Sequence, residues 1–528
     1  MNFYFDQKRN MLAYQCEAPE NLLALLPEGK QINGHFVLPY SLRNLQILRW
    51  ANMPVPEIMD GYDWPSGNPA IKNPYASQKL TANFMVLHPH CFNLGDMGTG
   101  KTMAVLWAAD WLMQKEPGLK ALIVCPVSIM QRVWADAIFL NFMQRRSCKI
   151  LHGSAEKRAK ELAADADFYI VNYEGVSIGA HTRGRFDLDG FSRQISERTD
   201  IRLVIIDEAS AYKDGTTKRN RIARKLFAHR DYLWLLTGTP TPNAPTDAFG
   251  LAKLCNNAQG KSFTTFRNET MYQPVPGGFK WLPQSDGYDK ARKLLTPSIR
   301  IDIRDVWDGP EMTVQQREVP LTEEQEKHMK ELKRSMRVLL TSKQITAVNE
   351  AGARNKFLQV SLGAIYDANH VEHLIDAKPR LDELKAVIRE ASGKLLIFAG
   401  LTSVVNFLYD NLSEWTREVV NGNTSEKARA RIFHDFQSGV EPRILIADPG
   451  TMAHGLNLFA AQTVVWYGAT DKPELYAQAN ARAYRPGQKF PVTVVQLVSN
   501  KLEREIFRRL DNKLSLQGTL LDVVRQGL

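Results

Sequence analysis

GDMGTGKT, running from Gly95 to Thr102, has the spacing of a phosphate-binding loop: a glycine, four residues, then Gly100-Lys101-Thr102. Glycines at 95, 98 and 100 let backbone N–H groups wrap a triphosphate, and Met97 and Thr99 complete the loop. Lys101 has the reach to meet the β- and γ-phosphates, and the Thr102 hydroxyl is a suitable ligand for Mg²⁺. A strand-like FNL precedes the loop and an apolar, helix-like run follows it. The loop predicts nucleotide binding; the use of the nucleotide is written elsewhere.

Outward from this loop, apolar β-branched runs alternate with helical ones: ALIVCP, DFYIVNY, LVIIDEA and YLWLLTGTP between about 71 and 255. That alternation predicts a buried parallel sheet of RecA type. A second alternating region, 376–511, carries KLLIFAG, REVVNG, RILIAD, QTVVWYG and VTVVQLVS but no phosphate loop. Residues 1–70 read as a small separate α/β module closed by the Pro/Gly/Asn-rich DWPSGNPAIKNP. The stretch 256–375 reads as a loop-rich and helical insertion, with a helix at 322–340 carrying Met329, Leu332, Met336 and Leu340 on one face. Residues 512–528 read as a C-terminal brace or tail. The expected fold is therefore α/β, with two RecA-like lobes built on parallel sheets around an ATP cleft, an N-terminal module and a helical insertion.

Composition narrows the class. In 528 residues no run reaches the roughly 18 apolar residues of a membrane helix, so no membrane partner is expected. Five scattered cysteines without a Cys-x-x-Cys pair point to a reducing interior and no zinc site. A formal net charge of +10 favours a polyanionic partner.

Three further strings carry chemistry. Asp207-Glu208 ends the run Leu203–Ile206, at the strand end where open α/β sheets bind ligands. Asp207 is placed to hold Mg²⁺ and Glu208 to orient and deprotonate a water. Thr237-Gly238-Thr239 ends the next strand, where small hydroxyl residues can link the acidic pair to a neighbouring domain. QANARAYRPGQ, 478–488, carries Arg482 and Arg485; a helix through Gln478–Tyr484 ends near Arg485 because Pro486 follows. Arginines so placed can stabilise charge on a transferring phosphoryl group.

With these strings in order, together with IADPGTMAHGLNL (446–458), the chain resembles a Swi/Snf-type ATPase of the superfamily-two helicases and translocases, in a compact form like bacterial or phage members. YASQKLTANF and the segment NEAGARNKFLQVSLGAIYD add to the resemblance, which spans about 71–511. It implies that Gln78 reads adenine, that ATP and Mg²⁺ are the cofactors, and that Thr237, Gly238, Thr239, Gly455, Asn457 and Gln488 couple the lobes. It also implies backbone contacts to double-stranded DNA by Ser128, Gln131, Arg132, Asn172 and Tyr173, with Lys213 and KRNRIARK (218–225) adding positive charge. Contacts of that type position a protein without reading sequence. Two departures stand out: Ala481 replaces the usual glycine before Arg482, and ATDKPE (469–474) lacks the usual Trp-Asn-Pro.

The expectation is a DNA-dependent ATPase that travels on duplex DNA as a monomer in a bacterial or phage-infected cytoplasm. A strand-separating helicase is the alternative, since 256–320 has room for a wedge, and a catalytically silent binding scaffold is the third. Residues 1–70 either bind DNA or a protein partner or simply brace the first lobe.

Overall fold

The computed structural model describes residues 3–67, 74–142, 145–180, 188–274, 281–341, 347–366, 372–452 and 457–512. It divides into two units, the first made of Met1–Pro240, Ala248–Phe263 and Ala291–Val306 and the second of Thr241–Asp247, Thr264–Lys290 and Trp307–Leu528.

The first unit is built on a seven-stranded sheet ordered 298–299, 90–93, 232–236, 201–206, 120–125, 168–172, 148–151, and each neighbouring pair is parallel. Helices cover both faces of such a sheet, so its central strands read as unbroken apolar runs; every residue of Phe168–Asn172 and Tyr232–Leu236 is buried. Strand register sets Leu236 beside Asn93, and Leu235 beside both Phe92 and Ile206. Three of the signature strings therefore leave the sheet side by side at the C-terminal ends of its strands.

Residues 3–39 form a four-stranded antiparallel sheet, and Leu42–Trp50 is a helix capped by the Ser41 hydroxyl. The expected separate module is not separate. Leu12, Tyr14, Phe36, Leu45 and Leu48 share one core with Met85, Trp107, Ile123 and Trp234 of the parallel sheet and its helices.

The second unit has a six-stranded parallel sheet ordered 312–318, 492–498, 461–466, 394–398, 444–447, 417–420. Inside it, Arg380 and Glu503 make a fully buried ion pair at 2.6 Å. The stretch expected to be loop-rich is corrected here: Ser298–Ile299 forms the edge of the first sheet and Met312–Glu318 the edge of the second. A two-residue strand leaves no periodicity to read. MTVQQRE stays polar because an edge strand is wetted, and none of its residues is buried. The helix expected at 322–340 is found at Glu323–Thr341, with Met329 buried and Leu332 packed on the second core.

Candidate nucleotide site and arginine turn

The loop after strand His90–Asn93 is held from below by buried Asn93, whose Oδ1 accepts the Gly95 N–H at 3.2 Å. Gly98 and Gly100 have φ of 84° and 76°, the left-handed region that side chains resist. At Gly100 there is a second reason for glycine: a Cβ would lie 2.2 Å from Gln78 Nε2. Gln78 is buried against the loop, its Oε1 accepting the Tyr75 N–H at 3.0 Å and its Nε2 lying 3.4 Å from the Gly100 carbonyl. Thr99 donates to the Asp96 carbonyl at 2.8 Å, and Lys101 Nζ donates to the carbonyls of Gly95 at 2.7 Å and Asp96 at 2.9 Å.

Gly100 is the N-cap of the helix Lys101–Lys115, so Lys101 and the half-buried Thr102 open its first turn. An ammonium near a helix N-terminus is a concentration of positive charge that suits a phosphate. The loop geometry fits a nucleotide triphosphate.

The acidic pair lies at the next strand end but one. Asp207 N–H donates to the Val124 carbonyl at 2.9 Å, while its Oδ1 accepts the Glu208 N–H at 2.9 Å and its Oδ2 accepts Trp134 Nε1–H at 3.0 Å. Burial pushes the Asp207 carboxyl above its ordinary range; the Lys101 charge and the two hydrogen bonds pull it back. Glu208 has φ 48° and ψ 51°, a costly backbone for a glutamate. The Tyr173 hydroxyl holds that turn, donating to the Asp207 carbonyl at 2.6 Å with the Glu208 carbonyl at 3.1 Å.

Thr237 completes the set. Its N–H donates to the Asn93 carbonyl at 3.0 Å and its Oγ1 accepts the Thr239 N–H at 3.1 Å. A Cβ on Gly238 would sit 3.5 Å from the Gly95 carbonyl and 3.7 Å from Met97 N, so this turn backs directly onto the phosphate loop. The first unit thus brings together Gln78, the loop, Asp207, Glu208 and Thr237–Thr239.

Trp134 and the structural part of Tyr173 escape sequence reading. Trp134 is fully buried in a wide π-helical turn, Met130–Ala135. Asn172 and Tyr173, expected to touch DNA, are 6% and 8% exposed and are engaged within the protein. Asn172 accepts from Arg158 at 3.0 Å and donates to Glu174 at 3.1 Å. Ser128 and Gln131 are exposed and Arg132 is half-buried, with Gln131 donating to Asp136 at 2.7 Å. Lys213 is half-buried. In the helix Lys218–Phe227, Ile222, Ala223, Leu226 and Phe227 face the core while Lys218, Arg221 and Lys225 stand exposed.

In the second unit the helix Pro473–Ala483 begins with the proline of ATDKPE, whose fixed φ suits a first helical position. It ends at Tyr484, with Gln478 and Arg482 buried. Burial lowers the pKa of Arg485, yet a guanidinium stays charged at any working pH. Gln488 is a knot for this turn: Nε2 donates to the carbonyls of Ala461 at 2.9 Å and Ala483 at 3.1 Å, and Oε1 accepts the N–H groups of Lys489 and Phe490. Asn457 is exposed next to Leu458, whose N–H donates to the Arg482 carbonyl at 3.0 Å; Gly455 lies outside the described residues.

A model of the SNF2-related domain matches residues 87–372, more than half of the chain, and one of the helicase conserved C-terminal domain matches residues 379–487. The chain belongs to the SNF2-related family. Protein p41 of Acyrthosiphon pisum secondary endosymbiont phage 1 is 23% identical over 81% of this SNF2-related chain and 94% of its own length. An ISWI chromatin-remodeling complex ATPase of Arabidopsis thaliana is 24% identical over 82% of this chain but only 40% of its own, so the chain spans less than half of that relative. The fold is similar to that of the helicase MrfA in its DNA-bound crystal structure, with a TM-score of 0.53 at 12% identity over 87% of this chain and 54% of that one. An SNF2-type ATPase core with a helicase-type C-terminal domain is what the chain contains. Among the described residues no helix is long and apolar enough to cross a membrane.

Proposed function

We propose that this chain is a DNA-dependent ATPase that moves along double-stranded DNA and remodels DNA or the proteins on it. The observation that carries the reading is the convergence, on adjoining parallel strand ends, of a phosphate loop with glycines at positive φ, a half-buried acidic pair and the Thr237–Thr239 turn. In that arrangement Gln78 recognises adenine, while Gly95, Met97, Gly98, Thr99 and Gly100 wrap the phosphates and Lys101 neutralises them. Thr102 and Asp207 are the oxygen ligands for Mg²⁺, which when bound offsets charge on the phosphate oxygens.

Glu208, fixed by the Tyr173 hydroxyl through its own carbonyl, takes a proton from the attacking water. Arg482 and Arg485 supply positive charge to the transferring phosphoryl group. An interaction made in the reacting state raises turnover more than it tightens binding. Ser128, Gln131, Arg132, Lys213 and the exposed face Lys218, Arg221 and Lys225 make non-specific phosphate contacts. The sequence relationship to a phage protein across nearly its whole length supports a bacterial or phage-infected cytoplasm as the setting.

The test is ATP hydrolysis without DNA and with single-stranded, duplex, forked and four-way DNA, beside displacement of a third strand from a triplex. Duplex-stimulated hydrolysis with triplex displacement is expected. Fork unwinding without triplex displacement would replace this reading with a strand-separating helicase.

A further inference from the structure

We propose that Trp307 is a positioning residue for the arginine turn, setting the orientation of Tyr484–Gln488 and through it the rate of ATP turnover. The first unit's last segment ends at Val306, and Trp307 is the next residue along the chain. Its indole packs on the Tyr484 ring, with centroids 5.2 Å apart and planes tilted by 55°. Tyr484 is the C-cap of the helix Pro473–Ala483 and stands between Arg482 and Arg485; its N–H donates to the Asn480 carbonyl at 3.1 Å. The indole also lies against Gly309, where a Cβ would fall 2.4 Å from the ring. The ring is thus seated by a backbone that tolerates no side chain and by the residue that ends the arginine helix.

Other contacts of this turn involve the second sheet and its flanks. Gln488 ties it to Ala461, the Phe459 ring sits 3.2 Å from where a Gly487 Cβ would be, and Trp466 Nε1 donates to Asn480 at 2.9 Å. Trp307 differs in place: it is the first residue of the second unit's last segment, directly after the chain leaves the first unit at Val306. A rigid two-ring contact next to that junction transmits the path of the connecting segment to Arg485, whereas a flexible side chain would absorb it. Placement errors of about 1 Å at a reacting centre can cost about a hundredfold in rate, so a contact of this kind bears on turnover without touching nucleotide.

The proposal rests on the reading of Arg485 as a charge-stabilising residue, and the experiment separates the two. Steady-state ATPase with saturating duplex DNA is measured for the full chain and for Trp307→Ala, Trp307→Phe, Gly309→Ala and Arg485→Ala. Trp307→Ala should lower kcat about ten- to a hundredfold while KM for ATP and Kd for duplex DNA stay within about threefold. Trp307→Phe, which keeps an aromatic face on Tyr484, should recover most of the loss. Gly309→Ala, which drives a methyl into the indole, should reproduce it. Wild-type kcat in Trp307→Ala beside an inactive Arg485→Ala overturns the positioning role. A loss accompanied by unfolding or weaker ATP binding, and not rescued by Trp307→Phe, marks a merely structural residue and also overturns it. Wild-type turnover in Arg485→Ala removes the arginine reading, and this proposal with it.

Discussion

Tyr173→Phe deletes one hydroxyl from a buried ring and leaves the packing shape intact. That hydroxyl is 2.6 Å from the Asp207 carbonyl and 3.1 Å from the Glu208 carbonyl, and it braces a glutamate at φ 48°. A non-glycine residue in that region stores about 1–3 kcal/mol of strain. Removing a donor costs about 1 kcal/mol of net bonding and about 1–3 kcal/mol more if a buried acceptor is left bare. About 1.5–3 kcal/mol is then available to let Glu208 leave its orientation, and at 1.36 kcal/mol per factor of ten this corresponds to a fall in kcat of about tenfold to a hundredfold.

KM for ATP should stay within about threefold, because the Lys101 and loop contacts do not involve Tyr173 and uniform binding is untouched. DNA affinity should not change at all, since the ring is buried. Steady-state ATPase at saturating duplex, paired with fluorescence-anisotropy titrations of duplex at two salt concentrations, reads both quantities. Wild-type kcat together with weakened DNA binding and a shallower salt slope would refute this account and return Tyr173 to the DNA surface.

Glu208→Gln should retain ATP binding by equilibrium titration and lose steady-state hydrolysis, because the attacking water loses its base; a comparable kcat removes Glu208 from that role. Arg485→Ala should keep nucleotide affinity within about tenfold but cut DNA-stimulated hydrolysis by on the order of 10³, and it should abolish triplex displacement. DNA stimulation should weaken steeply with added salt, because neutralising backbone phosphates releases counterions; salt-independent stimulation in an ATPase titration would contradict phosphate contacts by Lys218, Arg221 and Lys225. Asp110→Asn should destabilise the first unit by about 3 kcal/mol, the lower end for breaking a buried ion pair, because Arg146 at 2.7 Å and Arg145 at 2.6 Å lose the Asp110 carboxylate while Arg146 keeps Asp167 and Arg145 keeps access to water and Asp63. Denaturation followed by tryptophan fluorescence measures that loss, and an unchanged midpoint would show the pair to be idle.

What the sequence made legible was the chemistry that restricts residue type. Only glycine suits φ of 84° and 76° with Gln78 pressed against the backbone, so the loop announces itself in GDMGTGKT. Apolar runs marked the central strands because both faces of a parallel sheet are covered. Ser298–Ile299 and Met312–Glu318 went unread because a short strand and a wet edge leave no pattern. Asn172 and Tyr173 pose a related difficulty: a polar residue at a strand end looks the same whether it faces a ligand or braces a turn. Burial separates the two, and burial depends on Arg158 and Asp207, distant in sequence. Trp134 carried one weak signal, an indole N–H in MQRVWADA that would need an acceptor once buried; nothing local says the acceptor is a carboxylate 73 residues on.

The stretch DWPSGNPAIKNP poses the same problem at the level of a domain. Its Pro, Gly and Asn content reads as a tether, and the part of it that is described is laid on the core instead. Trp64 stands edge-on to Trp107 with centroids 5.5 Å apart, and the indole of Trp107 donates to the Pro65 carbonyl at 2.8 Å. Just before it, the Tyr62 hydroxyl donates to buried Asp110 at 2.6 Å. Trp107 and Asp110 are three residues apart on the helix that opens with Lys101 and Thr102, so they share one face of it. The helix that opens with Lys101 and Thr102 is therefore gripped at its middle by residues 62–65. The N-terminal sheet likewise keeps no core of its own: its apolar side chains belong to one cluster with those of that helix and of the parallel sheet. Composition alone cannot distinguish a tether in water from a strap over a core, because both need a backbone that turns freely. The difference lies in the apolar face beneath, and here that face belongs to the helix of the phosphate loop.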